Sequence, residues 1–132
     1  MSNKKLGNSF EAEFCELLAS EGFWVHNLAQ NAAGQPADVL AVKDGEAWLI
    51  DCKVCSHGKF AFSRIEDNQE LAMELWKDCG NGPGWFALNF DGSIYMVDMT
   101  AMRNARNRHS TMPPDIASLY GYTLEEWLWA RR

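Results

Sequence analysis

The sequence predicts an α/β domain with a mixed β-sheet flanked by helices, and three observations carry that expectation. Two pairs of apolar segments meet at Asp44-Gly45 and Asp91-Gly92, and Asp-Gly readily supplies the positive-φ turn of a tight β-hairpin. Segments with apolar residues at helical spacing precede, separate and follow these hairpins. At 132 residues and 47% apolar composition the chain is long and apolar enough to bury one core, so residues 1–132 read as a single domain.

The elements follow in order. A first helix is expected from near Lys4 to Ser20, where Leu6, Phe10, Phe14, Leu17 and Leu18 recur at helical spacing and Gly22 stands just beyond the end. Trp24 to Asn27 forms an entry strand, and the polar stretch Ala29 to Pro36 a loop. The first hairpin pairs Ala37–Val42 with Glu46–Val54. Ser63 and Glu66 carry the spacing of a capping box for a second helix that ends near Cys79-Gly80, with Ile65, Gln69, Ala72 and Trp76 on one face. Asn81-Gly82-Pro83-Gly84 breaks the chain before a second hairpin, Trp85–Phe90 with Ser93–Met99. Thr123 and Glu126 form another capping box, for a terminal helix bearing Trp127, Leu128 and Trp129.

The first hairpin also bears charge where charge is costly. Asp51 and Lys53 end the most apolar stretch of the chain, Ala47 to Ile50, and ionised groups there need a partner or a metal. Alternation along a strand puts Asp51 and Lys53 on one face and Cys52 on the other. With Asp38 on the neighbouring strand, two carboxylates and an ammonium can meet at one end of the sheet. Carboxylates from adjacent strands make a hard oxygen site for Mg²⁺ or Mn²⁺, and a lysine beside them can orient a water or offset charge developing on a phosphate. Glu11 lies on the flank of the first helix with Cys15 and Leu18. Gln69, on an otherwise apolar helix face, needs a partner if buried, and either approaches the reacting groups or serves as a hydrogen-bonded structural amide.

The order Glu11, Asp38, Asp51-x-Lys53 resembles the PD-(D/E)xK nuclease superfamily. The flanking segments Gly7-Asn8-Ser9-Phe10-Glu11, Gly22-Phe23-Trp24-Val25 and Ile65-Glu66-Asp67-Asn68-Gln69 are similar to Holliday-junction resolvases of the RecU type, and more distantly to the archaeal resolvases. Arg108-His109-Ser110-Thr111-Met112-Pro113 resembles the basic-Ser-apolar-Pro segment of the RecU group, so the likeness spans almost the whole chain. It departs from that group in having Asp51 where glutamate is common, and in a short loop from Val54 to Arg64.

The resemblance implies a restriction-endonuclease-like core and an Mg²⁺- or Mn²⁺-dependent endonuclease that cuts DNA at four-way junctions, working as a homodimer. It implies metal ligation by Asp38, Asp51 and the Cys52 carbonyl, with Glu11 directly or through water, and roles in the reaction for Lys53 and Gln69. Nuclease action on other DNA, or a DNA-binding module with an inactive site, are the alternatives.

Composition limits the partners. A net charge of −6 excludes a general nucleic-acid coat, yet Lys4, Lys5, Lys59, Arg103, Arg106 and Arg108 form local basic stretches able to track phosphates. Gln30, Asn31 and Gln35 either meet DNA at the mouth of the site or solvate a turn. The four cysteines are too irregular for a disulfide framework, and a structural zinc site of Cys52, Cys55, His57 and Cys79 is a competing reading of that segment. No apolar run is long enough to cross a bilayer and no hydrophobic signal segment follows Met1-Ser2-Asn3-Lys4-Lys5, so a cytoplasmic protein is expected.

Overall fold

A computed structural model describes residues 3–28 and 37–132, with side chains described from Ser9 onward in the first helix. The expectations for Gln30, Asn31 and Gln35, and for the side chains of Lys4 and Lys5, lie outside the described residues.

The first helix, α1, runs Asn3–Ser20. It ends in paired reverse bonds, Phe23 N–H to the Leu18 carbonyl and Gly22 N–H to the Ala19 carbonyl, with Gly22 at φ 91°. That geometry needs a left-handed residue and explains the glycine. Phe10, Phe14 and Leu18 are buried as the spacing predicts, but Leu17 is 36% exposed. It lies one position outside the stripe that faces the sheet.

The strands β1 (Trp24–Asn27), β2 (Val39–Lys43) and β3 (Glu46–Val54) follow. The β2–β3 turn holds Asp44 and Gly45 at φ 52° and 79°, and the second hairpin, β5 (Trp85–Phe90) with β6 (Ser93–Asp98), holds Asp91 and Gly92 at 53° and 96°. Both hairpins therefore form as the dipeptides require. Between them come β4 (Phe60–Ala61), a 3₁₀ turn (Phe62–Arg64) and helix α2 (Asp67–Asp78). The cap of α2 is Glu66 with Gln69, one turn later than Ser63 with Glu66, because the 3₁₀ turn occupies the earlier position.

After β6 the chain is more helical than expected. Helix α3 (Met99–Arg106) starts on Asp98, whose Oδ1 accepts from Ala101 N–H at 2.8 Å, so Met99 opens this helix rather than closing the strand. Then come β7 (Thr111–Met112), α4 (Pro114–Tyr120), β8 (Tyr122–Thr123) and α5 (Leu124–Trp129), the last capped reciprocally by Thr123 and Glu126 as predicted.

The main sheet is mixed, in the order β1-β2-β3-β5-β6-β8; β3 and β5 are parallel and the other pairs antiparallel. One face packs α1 and Trp127 of α5 over Val39, Ala41, Ile50 and Cys52. The other carries Leu49, Phe86, Leu88, Met73 of α2, Met102 of α3 and Ala117 of α4. Strands β4 and β7 form a separate two-stranded sheet that ties the segment after β3 to the Ser-apolar-Pro segment. Of the paired tryptophans, Trp127 is fully buried while Trp129 is 71% exposed.

Candidate active site

The site forms where β2 begins and β3 ends. Leu49 belongs to the α2-side core and Cys52 to the α1-side core, so alternation turns Asp51 and Lys53 toward α2. Asp38 sits just before β2, its N–H bonded to the Ile50 carbonyl, and its Oδ2 accepts from Cys52 N–H at 2.8 Å. The amide and carbonyl of one strand residue point the same way, so the Cys52 carbonyl faces the Asp38 side. Glu11 approaches from α1 and Gln69 from α2. Two helices on opposite faces thus supply side chains to one sheet end.

Glu11, Asp38, Asp51 and Gln69 are the buried charged or amide side chains among the described residues, and all four line one pocket with Lys53. Burying such groups together is costly unless they serve one another or a ligand. Lys53 Nζ lies 3.0 Å from Asp51 Oδ2 and donates to Gln69 Oε1 at 3.3 Å. Gln69 Nε2 donates to Asp51 Oδ1 at 3.2 Å, and its Oε1 also accepts from Glu66 N–H at 3.2 Å. The capping residue of α2 is therefore also the brace of the Asp51–Lys53 pair.

The carboxylates are held against their electrostatic preference. Burial, and then the charge and hydrogen bond of Asp38, push Glu11 from its ordinary 4.5 up to about 7. Burial also raises Asp51 well above the usual carboxylate range, against the pull of Lys53 and with the repulsion of Asp38. Asp51 Oδ2 is buried, and its partner is the Lys53 ammonium 3.0 Å away.

A divalent cation suits this set of oxygen donors, because it would relieve the mutual repulsion of the buried carboxylates and favour their ionised forms. Among the described residues no three His, Cys, Asp or Glu side chains lie together so as to hold a metal ion by themselves. One or two carboxylates with a carbonyl and waters is how Mg²⁺ is commonly held. The zinc reading fails on geometry: Cys52 lies in the α1-side core, Cys55 in the opposite core, and Cys79 is exposed at the end of α2.

The pocket, of about 430 Å³, is also lined by Ser56, His57, Lys59, Ala61 and Arg64. Lys59 was expected near DNA, His57 figured in the zinc reading alone, and Arg64 was not singled out, although its place just after the acid-x-lysine strand was the available signal. Of the basic stretch 103–109, residues 103–106 lie in helix α3 and Arg108 lies beyond its end. Arg103 meets Glu70 at 2.9 Å and Glu74 at 2.8 Å, and Arg106 meets Glu70 at 3.1 Å, so two arginines expected to face phosphates are paired with α2.

The family model for the archaeal Holliday junction resolvase, Hjc, matches residues 2–128. The chain belongs to the archaeal Hjc family. Within the nuclease superfamily, the matching branch is thus the one the sequence placed further away than RecU. Over 92 residues the chain is 30% identical to the crossover junction endodeoxyribonuclease Hjc of Methanocaldococcus jannaschii, a match covering 70% of this chain and 65% of that protein, just under two thirds of its length. The solved structure of Archaeoglobus fulgidus Hjc, a Holliday junction resolvase from an archaeal hyperthermophile, superposes with a TM-score of 0.71, covering 92% of this chain and 99% of that one at 15% identity. That likeness shows the fold, and the mixed sheet with flanking helices is the Hjc form of the restriction-endonuclease-like core.

Proposed function

We propose that this Hjc-family chain is a divalent-metal-dependent endonuclease that hydrolyses DNA at four-way junctions. The observation that carries the reading is the joint burial of Glu11, Asp38, Asp51 and Gln69 around Lys53 in one open pocket. Asp38, Asp51 and the Cys52 carbonyl would hold Mg²⁺ or Mn²⁺, with Glu11 beside them directly or through water. When bound, the ion supplies Lewis-acid polarisation of the scissile phosphate and a lowered pKa for a water.

The rest of the chemistry falls to side chains. Lys53 has three N–H donors; Asp51 and Gln69 fix its position, leaving a donor for the pocket. There it stabilises the extra negative charge of the transition state or orients the attacking water. Both ends of the Gln69 amide are engaged by protein, so Gln69 acts as a positioning residue through Asp51 and Lys53. Glu11, raised to about 7, is poised to take or hold a proton near neutral pH.

A junction presents two strands for symmetric cutting, so we propose a C2 homodimer with two such sites. The RecU likeness extends to shared nuclease chemistry. No helix among the described residues is long and apolar enough to cross a membrane, and we place the enzyme in the cytoplasm with its DNA.

The test compares four-way junction, flap, single-stranded and duplex DNA with Mg²⁺, with Asp51→Asn as control. Preferred cutting of the junction by the wild type alone supports the proposal. Equal cutting of linear duplex moves it to a general nuclease, and no cleavage of any substrate to an inactive binding module.

A further inference from the structure

Acids and bases both line the pocket: Glu11, Asp38 and Asp51 among the first, Lys53, Lys59 and Arg64 among the second. We propose that Arg64, with Lys59 also in the lining, grips a DNA phosphate beside the scissile one. The inference rests on reading the pocket as a DNA-cleaving site.

Among the described residues Arg64 and Arg108 are the arginines with neither a carboxylate partner nor a place against the tryptophan cluster, and of these two Arg64 lines the pocket. Arg103 and Arg106 pair with Glu70, Arg132 pairs with Glu21, and Arg131 lies 4.0 Å from the ring centre of Trp127. Among the described residues no carboxylate lies within ion-pair distance of Arg64 or Lys59. The stretches outside that set, 1–8 and 29–36, contain no Asp or Glu that could supply one.

The guanidinium is nevertheless fixed in place. Nη1 donates to the Val54 carbonyl at 2.8 Å, directly after Lys53, and the group lies over the ring of Phe60 at 5.6 Å. Phe60 is itself fully buried and pairs with Met112 across the β4–β7 sheet. Burial pushes the neighbouring Cys55 thiol up to about 11, so it stays neutral and does not cancel the charge. A guanidinium carries five N–H donors in a planar fork, and the Val54 contact leaves a pair free for bidentate binding of a phosphate. An oriented, uncompensated cation on the wall of a phosphodiester site is the arrangement a polyanion requires.

The experiment measures binding of a labelled four-way junction in EDTA, where hydrolysis is stopped, over a range of salt concentrations, for wild type, Arg64→Gln and Arg64→Lys. Arg64→Gln should bind about tenfold more weakly, and the slope of log affinity against log salt should become shallower by about 0.9. Arg64→Lys should restore the slope but not the full affinity, because a point charge replaces the fork. With Mg²⁺ and saturating DNA, the single-turnover rate of Arg64→Gln should fall less than its affinity. An unchanged slope overturns the inference, whether the melting temperature of the variant is retained or lowered. So does a rate loss at saturation larger than the affinity loss. A wild type that cuts none of the four DNA forms would fail the nuclease reading instead, while the salt slope would still report the phosphate contact.

Discussion

The buried pocket at the end of β3 and the exposed contact between α2 and α3 both gather acids and bases, with opposite outcomes. Between the helices, Arg103 and Arg106 meet Glu70 and Glu74 at about one third exposure, and each charge has its partner. Hydrogen bonds from the two arginines hold Glu70 below its ordinary range. In the pocket, Glu11, Asp38 and Asp51 lie with Lys53, which pairs with Asp51, and Glu11 and Asp51 are raised. The difference teaches how charge is compensated: between the helices the charges satisfy one another and hold two elements together, whereas in the pocket burial and repulsion leave carboxylates raised, the pattern of a candidate binding site.

The largest expected effect tests the pocket directly. Asp51→Asn should lower cleavage by roughly 10³-fold or more while leaving the circular dichroism spectrum and junction binding largely intact, since shape is kept and an anionic ligand is lost. Lys53→Ala should cost roughly 10²- to 10³-fold in rate with a smaller change in the Mg²⁺ concentration needed. Wild-type turnover by Asp51→Asn would remove the site, and a loss for Lys53→Ala confined to DNA affinity would move that lysine from chemistry to binding.

Next comes the brace. Gln69→Ala should reduce the rate roughly 10- to 100-fold, because Asp51 and Lys53 lose the amide that spaces them. Gln69→Glu keeps the acceptor for Lys53 and Glu66 N–H but adds a fourth carboxylate, so it should not restore activity. Full activity in Gln69→Ala, measured by single turnover, would leave the residue as a helix cap alone.

Glu11 gives the pocket a pH signature. Its folded pKa, about 7, exceeds the ordinary 4.5, so between these values the native state holds a proton that the unfolded chain has lost. In chelator, stability should therefore fall as pH rises from about 4.5 to about 7 and level off above, by roughly 1–3 kcal/mol from this group. Raised Asp51 acts in the same direction. Denaturant unfolding of wild type and Glu11→Gln across that window isolates the contribution, and parallel curves would show that Glu11 is not perturbed. Added Mg²⁺ should reduce the decline, since it favours the ionised forms.

The smallest effect belongs to the helix contact. Arg103→Gln with Arg106→Gln should cost about 0.5–2 kcal/mol of stability, the range of exposed ion pairs taken together, and leave the salt slope of DNA binding unchanged. A shallower slope would return these arginines to the phosphate contacts their sequence first indicated.

The comparison also shows what could be read along the chain. Asp44-Gly45 and Asp91-Gly92 encode their hairpins locally, since few other residues accept those positive φ values at both turn positions. Thr123 with Glu126 likewise encodes a cap within one turn. Helix α3 was legible too, through Asp98 as cap and Met99, Met102 and Ala105 at helical spacing, but the apolar run of β6 continued into Met99 and masked the start. The Ser63–Glu66 spacing misled because Glu66–Gln69 repeats the same cap one turn later, and only packing of Ile65 and Met73 selects between them.

Residue type and order singled out Glu11, Asp38, Asp51 and Lys53 as site candidates, with strand alternation putting Asp51 and Lys53 on one face, and all four line one pocket. The partners of each charge were not legible in this way. The place of Arg64 just after the acid-x-lysine strand hinted at the pocket, but not at its pairing; the helix layers bring Glu70 to Arg103 and leave Arg64 over Phe60 in the pocket lining. Local chemistry determined the turns, caps and acids of this protein, while tertiary packing decided which charges are neutralised, because ion pairing depends on distances across elements far apart in the chain.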